Sequence, residues 1–118
     1  MGPLVLVVDD DARTARTLGR MLREDGYEVE VAVDGPAAIA RLTRSPVPNI
    51  LISDLRMATV DGVAVVRYAQ SRRPDMRVVV VTGYPHLVQS ALDPPPIVLT
   101  KPLVYGDLRA ALGSAGLA

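Results

Sequence analysis

Arg77-Val78-Val79-Val80-Val81-Thr82 is the stretch whose reading decides the fold. Four consecutive valines bounded by a cation and a hydroxyl form a short run with no polar alternation. Such a run predicts a strand buried on both faces, the habit of a parallel sheet covered by helices on either side. Working outward, Leu4 to Val8 repeats the pattern and ends at acids, and Asn49 to Asp54 repeats it again through Ile50-Leu51-Ile52-Ser53. Ile97 to Thr100 is a shorter run of the same kind. Glu28 to Val33 instead alternates acid and apolar, which predicts a strand nearer the sheet edge.

Helical spacing fills the gaps between these runs. Asp11 offers an N-cap before Ala15, Leu18 and Leu22, with Arg13, Arg16, Arg20 and Arg23 on a solvated face, and Gly26 stops the helix. Asp34-Gly35-Pro36 starts a second helix carrying Ala38, Ile39 and Leu42, which ends before Ser45-Pro46-Val47-Pro48. After a loop from Leu55 to Val60, Asp61-Gly62 opens a third helix with Val63, Val66 and Ala69, stopped near Pro74. Asp107 to Leu112 sits in a final helix that frays through Gly113 and Gly116. Between Tyr84 and Pro96 there is room for only about two helical turns before Asp93-Pro94-Pro95-Pro96 forbids continuation. The alternation predicts a (βα)₅ chain, an α/β fold with a doubly wound parallel sheet and right-handed crossovers.

Bulk properties bound the function. A chain of 118 residues fits one domain, taken here as 1–118, and 49% hydrophobic content is enough for a core. That core is aliphatic, since Phe and Trp are absent and only Tyr27, Tyr68, Tyr84 and Tyr105 are aromatic. Thirteen basic and 13 acidic residues balance, so no overall field points to nucleic acid or an anionic membrane. Absence of cysteine excludes disulfides, thiolate catalysis and Cys-ligated metals, and a single histidine, His86, read as a surface loop residue, excludes a multi-His site. No apolar run reaches membrane-spanning length, and Met1-Gly2-Pro3 has no secretory signal character. The expectation is a soluble cytoplasmic protein, or a soluble piece of a larger one.

Ligands of open parallel α/β sheets bind at the carboxyl ends of the strands. The residues there are Asp9-Asp10, Asp54, Thr82 and Lys101-Pro102. Each alone has a plain structural reading: acids cap helices, threonine is ordinary in strands, and a lone lysine is usually solvated. As an ordered set they predict converging carboxylates that need a hard cation, Mg²⁺ above all, beside an ammonium and a hydroxyl able to hold phosphoryl oxygens. That set suits in-line transfer of a phosphoryl group onto a carboxylate.

Val7-Val8-Asp9-Asp10-Asp11, Ile52-Ser53-Asp54-Leu55-Arg56-Met57, Val81-Thr82-Gly83-Tyr84 and Leu99-Thr100-Lys101-Pro102 together resemble the receiver domain of bacterial response regulators, in order and across essentially the whole chain. The resemblance implies a flavodoxin-like sheet of order 2-1-3-4-5. It implies that Asp54 takes a phosphoryl group from a phosphohistidine of a partner histidine kinase or phosphotransfer protein. Asp10, Asp54 and the backbone carbonyl of Arg56 would ligate Mg²⁺ directly, with Asp9 acting largely through water. Thr82 and Lys101 would hold the phosphoryl oxygens, the Lys101-Pro102 bond would be cis, and movement of Thr82 would be the trigger.

Three departures from the family pattern stand out. Ala58 replaces a customary proline, Val98 stands where a switch aromatic is usual, and the segment from Thr82 to Lys101 is short and proline-rich, which predicts a shortened or irregular fourth helix. Tyr84 and Arg56 flank the phosphate site and are expected to tune dephosphorylation. The chain is thus expected to be a signalling receiver and not an enzyme acting on outside substrates, free-standing or joined to a kinase or output domain, without direct nucleic-acid or membrane contact. A homodimer formed through the last helices is a further expectation. Rival readings are a phosphorylation-independent pseudo-receiver that works by protein contact, and a small phosphohydrolase, for which no substrate-binding segment is evident. A nucleotide-binding flavodoxin-like protein is disfavoured, because no Gly-rich loop follows Val8.

Overall fold

The computed structural model describes residues 2–54, 59–88 and 92–113. Five strands, β1 (Leu4–Val8), β2 (Glu28–Ala32), β3 (Ile50–Asp54), β4 (Arg77–Thr82) and β5 (Ile97–Thr100), pair in parallel in the order β2-β1-β3-β4-β5. Among the described residues four α-helices accompany them: α1 (Ala12–Glu24), α2 (Gly35–Thr43), α3 (Thr59–Arg72) and α4 (Tyr105–Gly113). The expected flavodoxin-like sheet is therefore the one observed, with the acid-alternating β2 at an edge.

Alternate strand residues face opposite layers. Val5, Val7, Ile50, Ile52, Val79 and Val81 pack against α1 and α4 through Ala15, Leu18, Leu22, Leu108 and Leu112. Leu6, Val8, Leu51, Val78 and Val80 pack against α2 and α3 through Ala38, Leu42, Val65, Val66 and Ala69. Both faces are covered, which is why the central strands are continuous apolar runs. Leu51 lies on the central strand with 0% exposure, so Leu51→Ala removes atoms that nothing can replace without a cavity. It is expected to cost about 3 kcal/mol in urea unfolding.

Local signals set the helix ends. Asp11 accepts from the Arg13 and Thr14 amides at 3.0 and 3.4 Å and caps α1. Gly26, with φ +98°, ends it: its amide donates to Arg23 O at 3.0 Å and the Tyr27 amide to Leu22 O at 3.1 Å, a Schellman closure. Asp34 caps α2 by accepting from the Ala37 amide at 2.7 Å. The far end of α2 is closed from another helix, where Arg72 of α3 donates to Leu42 O at 2.9 Å and Thr43 O at 3.2 Å. Arg41, itself buried, pairs with Glu30 of β2 at 2.5 Å and donates to Pro46 O at 2.8 Å. The Arg13, Arg16, Arg20 and Arg23 side chains are exposed, as their spacing predicts.

Two expectations need comment. α3 begins at Thr59, two residues before the anticipated Asp61, so Asp61 and Gly62 fall in its first turn. An acid is favourable both as a cap and within the first turn, and sequence alone cannot separate the two positions. The fourth helix is reduced, among the described residues, to a 3₁₀ turn at Pro85–Leu87 that includes the exposed His86. Gln70 of α3 donates to Pro94 O at 2.6 Å and ties this crossover down, while Leu92 is buried in the α2/α3-side core. At the opposite layer, Tyr105 and Arg109 of α4 bond Asp25 at the end of α1 at 2.7 Å and 3.0–3.1 Å.

Candidate functional site

Parallel register brings the carboxyl ends of four strands level: Val8 pairs with Ser53, Asp54 with Val81, and Thr82 with Thr100. Side chains at or just after those ends share one rim. Asp9 follows β1, and its amide extends the β1–β2 pairing by donating to Ala32 O at 3.1 Å. Its carboxylate accepts from the Asp11 amide at 2.9 Å, which aims it at the rim. Asp54 ends β3 and is 3% exposed. Lys101 follows β5, its amide donates to Thr82 O at 2.9 Å, and its Nζ donates to Asp54 Oδ2 at 2.5 Å. The Lys101-Pro102 bond is cis.

One carboxylate oxygen each from Asp9, Asp10 and Asp54 lies within 4.8 Å of the other two. Asp10 is exposed and the other two are buried. Three ionised carboxylates against one ammonium leave two negative charges to balance. A hard divalent cation with oxygen ligands fits both that charge and the donor set, and Mg²⁺ is of this kind. Beside the acids a cleft of about 250 Å³ is lined by Asp9, Asp54, Lys101 and Thr14, with Leu18 and Leu103 on its apolar side.

Burial pushes the Asp9 carboxyl above its ordinary value of 3.8, and the charges of Asp54 and Asp10 push the same way, while the Asp11 amide and Lys101 oppose them. A carboxyl raised in the fold destabilises the fold progressively as pH rises from 3.8 through the folded value, because the folded chain holds the proton more tightly. Asp9→Asn is therefore expected to raise the melting temperature of the metal-free chain at pH 7. The same change should weaken Mg²⁺ binding by about tenfold or more, measurable by calorimetry.

Thr82 is buried at the end of β4. Its hydroxyl oxygen accepts from the Tyr84 amide at 3.0 Å, which leaves its own hydrogen to donate elsewhere. The structure thus brings Asp9, Asp10, Asp54 and Lys101 together, with Thr82 bonded to the Lys101 backbone. The Arg56 carbonyl and Ala58 lie outside the described residues. Sequence reasoning missed Thr14 and Leu103 as walls of the cleft. Thr14 follows the cap residue Asp11 by one helical turn, and Leu103 follows Lys101-Pro102, so both were within reach of a positional argument.

The family described as response regulator receiver domain matches residues 5–112. The chain is 34% identical over 115 residues to the acid tolerance regulatory protein ActR of Rhizobium meliloti (strain 1021), covering 92% of this chain and 57% of ActR. It is 34% identical over 118 residues to the transcriptional regulatory protein ZraR of Escherichia coli (strain K12), covering 94% of this chain and 26% of ZraR. It therefore spans little over half of the one relative and about a quarter of the other. Among solved structures, a receiver domain protein (CheY-like) from Methanospirillum hungatei JF-1 superposes with a TM-score of 0.85 at 26% identity, over 97% of this chain and 93% of that one. The response regulator TrrA from Thermotoga maritima, in complex with Mg(2+)-BeF, superposes with a TM-score of 0.81 at 25% identity, over 98% of this chain and 99% of that one.

Proposed function

Because the chain belongs to the response regulator receiver domain family, we propose that it is a phosphoacceptor of a two-component or phosphorelay system, with Asp54 as the residue that takes the phosphoryl group. The donor is a phosphohistidine on a histidine kinase or histidine phosphotransfer protein. An Asp54 carboxylate oxygen attacks phosphorus, the phosphorus–nitrogen bond to the imidazole breaks, and the imidazole leaves with a proton taken from its surroundings. Lys101 holds a phosphoryl oxygen, and the Thr82 hydroxyl donates to another. Asp10, Asp54 and the Arg56 carbonyl would hold Mg²⁺ directly, with Asp9 largely through water; when bound, the ion would offset the negative charge that gathers between carboxylate and phosphoryl group.

The observation that carries the proposal is the 2.5 Å contact of Lys101 Nζ with Asp54 beside two further carboxylates. A structural ion pair would have no use for two extra acids that repel its carboxylate. Membership in signalling chains is supported by relatives that extend well beyond the receiver, so a kinase or output domain joined to this one is part of the proposal. A cytoplasmic location follows from the same role. Among the described residues no helix is long and apolar enough to cross a membrane.

The test is incubation with acetyl phosphate, with and without Mg²⁺, read by intact mass and peptide mapping. One phosphoryl group on Asp54, dependent on the metal, is the expected result. An unlabelled chain with Mg²⁺ bound would instead favour a receiver that works by protein contact alone, the reading to which Val98 and the reduced fourth crossover lend some weight. Steady turnover of external phosphate esters would favour a phosphohydrolase.

A further inference from the structure

Lys101 stands on a short connection, Lys101 to Val104, between β5 and α4. The upstream end is fixed to the sheet, because the Lys101 amide donates to Thr82 O at 2.9 Å. The downstream end is joined to α4, because the Asp107 and Leu108 amides donate to Val104 O at 3.0 and 3.3 Å. The place of α4 therefore bears on the place of the ammonium. Leu108 and Leu112 are the buried residues of α4, and two apolar side chains one turn apart fix its depth on the sheet more than its position along α1. Between α1 and the connection lies an open groove, walled by Leu18 and Met21 on one side and by Leu103 and Tyr105 on the other. A polar clamp closes its far end. Asp25 Oδ2 accepts from the Tyr105 hydroxyl at 2.7 Å and from Arg109 Nε at 3.1 Å, and Asp25 Oδ1 accepts from Arg109 Nη2 at 3.0 Å. The Arg109 guanidinium also stands 5.7 Å from the centre of the Tyr105 ring. The bonds from Tyr105 and then Arg109 hold the Asp25 carboxyl below its ordinary value of 3.8, which keeps it an acceptor at neutral pH. An exposed ion pair adds little to stability, but a paired guanidinium and a hydroxyl on one carboxylate define a geometry.

From this arrangement we infer that Asp25 is a positioning residue for Lys101: by holding Tyr105 and Arg109 it sets where α4 begins, and so keeps the ammonium against Asp54. The inference rests on the proposed transfer to Asp54. Asp25 touches none of the reacting groups and acts through the backbone between Tyr105 and Lys101. A connection this short, tied at both ends, has little slack. A shift of Tyr105 is passed back toward Lys101, whose amide stays on the sheet while its stem and Nζ move. Transfer depends steeply on such placement, since a displacement of about 1 Å costs on the order of 10²-fold in rate. The fold itself does not depend on the clamp, because Leu108 and Leu112 stay buried without it.

A double-mutant cycle in the full chain tests this, with Asp25→Ala made alone and together with Lys101→Met. Two quantities are read: the single-turnover rate of labelling by acetyl phosphate, and Mg²⁺ affinity by calorimetry. Circular dichroism checks the fold of each variant. Asp25→Ala is expected to slow labelling by about three- to tenfold and to tighten Mg²⁺ binding, because the ammonium then stands less firmly against the acids. In the Lys101→Met chain, adding Asp25→Ala should change neither quantity, as no ammonium is left to place. Tyr105→Phe keeps the ring, removes only the hydroxyl, and should reproduce part of both effects. Wild-type labelling and Mg²⁺ affinity in Asp25→Ala overturn the inference. So does an equal change in the two backgrounds, which is the mark of a general loosening. Should Asp25→Ala fold poorly, the same cycle run with Tyr105→Phe decides. A wild-type chain that gains no phosphoryl mass sinks the phosphoacceptor reading itself, and the Mg²⁺ arm of the cycle then decides the clamp separately.

Discussion

Asp54→Asn is expected to abolish Mg²⁺-dependent labelling by acetyl phosphate, leaving no phosphoryl mass on any peptide of the folded chain. Asparagine matches aspartate in size, so the end of β3 keeps its packing between Val8 and Val81 on the neighbouring strands. What it lacks is the anionic oxygen that attacks phosphorus. Nor can the other acids substitute. Asp10 is exposed, and Asp9 is held by the Asp11 amide, so neither combines Asp54's burial with its 2.5 Å contact to Lys101. The variant also removes one of the three clustered carboxylates, so Mg²⁺ binding should weaken with it. Circular dichroism and urea unfolding would establish that the fold persists. Undiminished labelling of folded Asp54→Asn would remove this residue from the proposed chemistry.

Lys101→Met should slow transfer to Asp54 by about 10² to 10³-fold, the usual cost of deleting one preorganised group that stabilises developing charge. Methionine keeps much of the apolar stem, which is partly buried beside Pro102 and Leu103, and deletes the ammonium. Arginine is no rescue, because its planar fork is wider than the point charge that fits here. The same substitution has a second effect of opposite sign. Without the ammonium, Asp9, Asp10 and Asp54 repel one another more strongly, and Mg²⁺ should bind more tightly. Slower single-turnover labelling with tighter metal binding distinguishes loss of a charge partner from collapse of the site, which would weaken both. Equal labelling rates in the two chains would refute a role for Lys101 in transfer.

Much of the fold was legible because it is written in short-range patterns. The four valines of β4 and the runs of β1 and β3 can be satisfied only by burial on two sides. Asp11, Asp34 and Gly26 announce helix ends through local backbone chemistry, and each does so in the structure. The less legible features join distant residues or lie where two local rules agree. Arg72 closes α2 from 29 and 30 residues away, and Tyr105 and Arg109 reach Asp25 across 80 and 84 residues. No periodicity encodes such pairs. The start of α3 at Thr59 was missed because acids suit the cap and the first turn alike.

The candidate site divides along the same line. By itself the sequence determined which groups stand at the strand ends, since each follows a run that must stop there, and it determined that those groups are acids, a hydroxyl and an amine. Only the tertiary structure decided that Lys101 meets Asp54 across 47 residues and that carboxylate oxygens of Asp9, Asp10 and Asp54 gather within 4.8 Å of one another. Strand order and register set these contacts, and both come from packing two helical layers onto one sheet, an outcome of the whole chain and not of any segment.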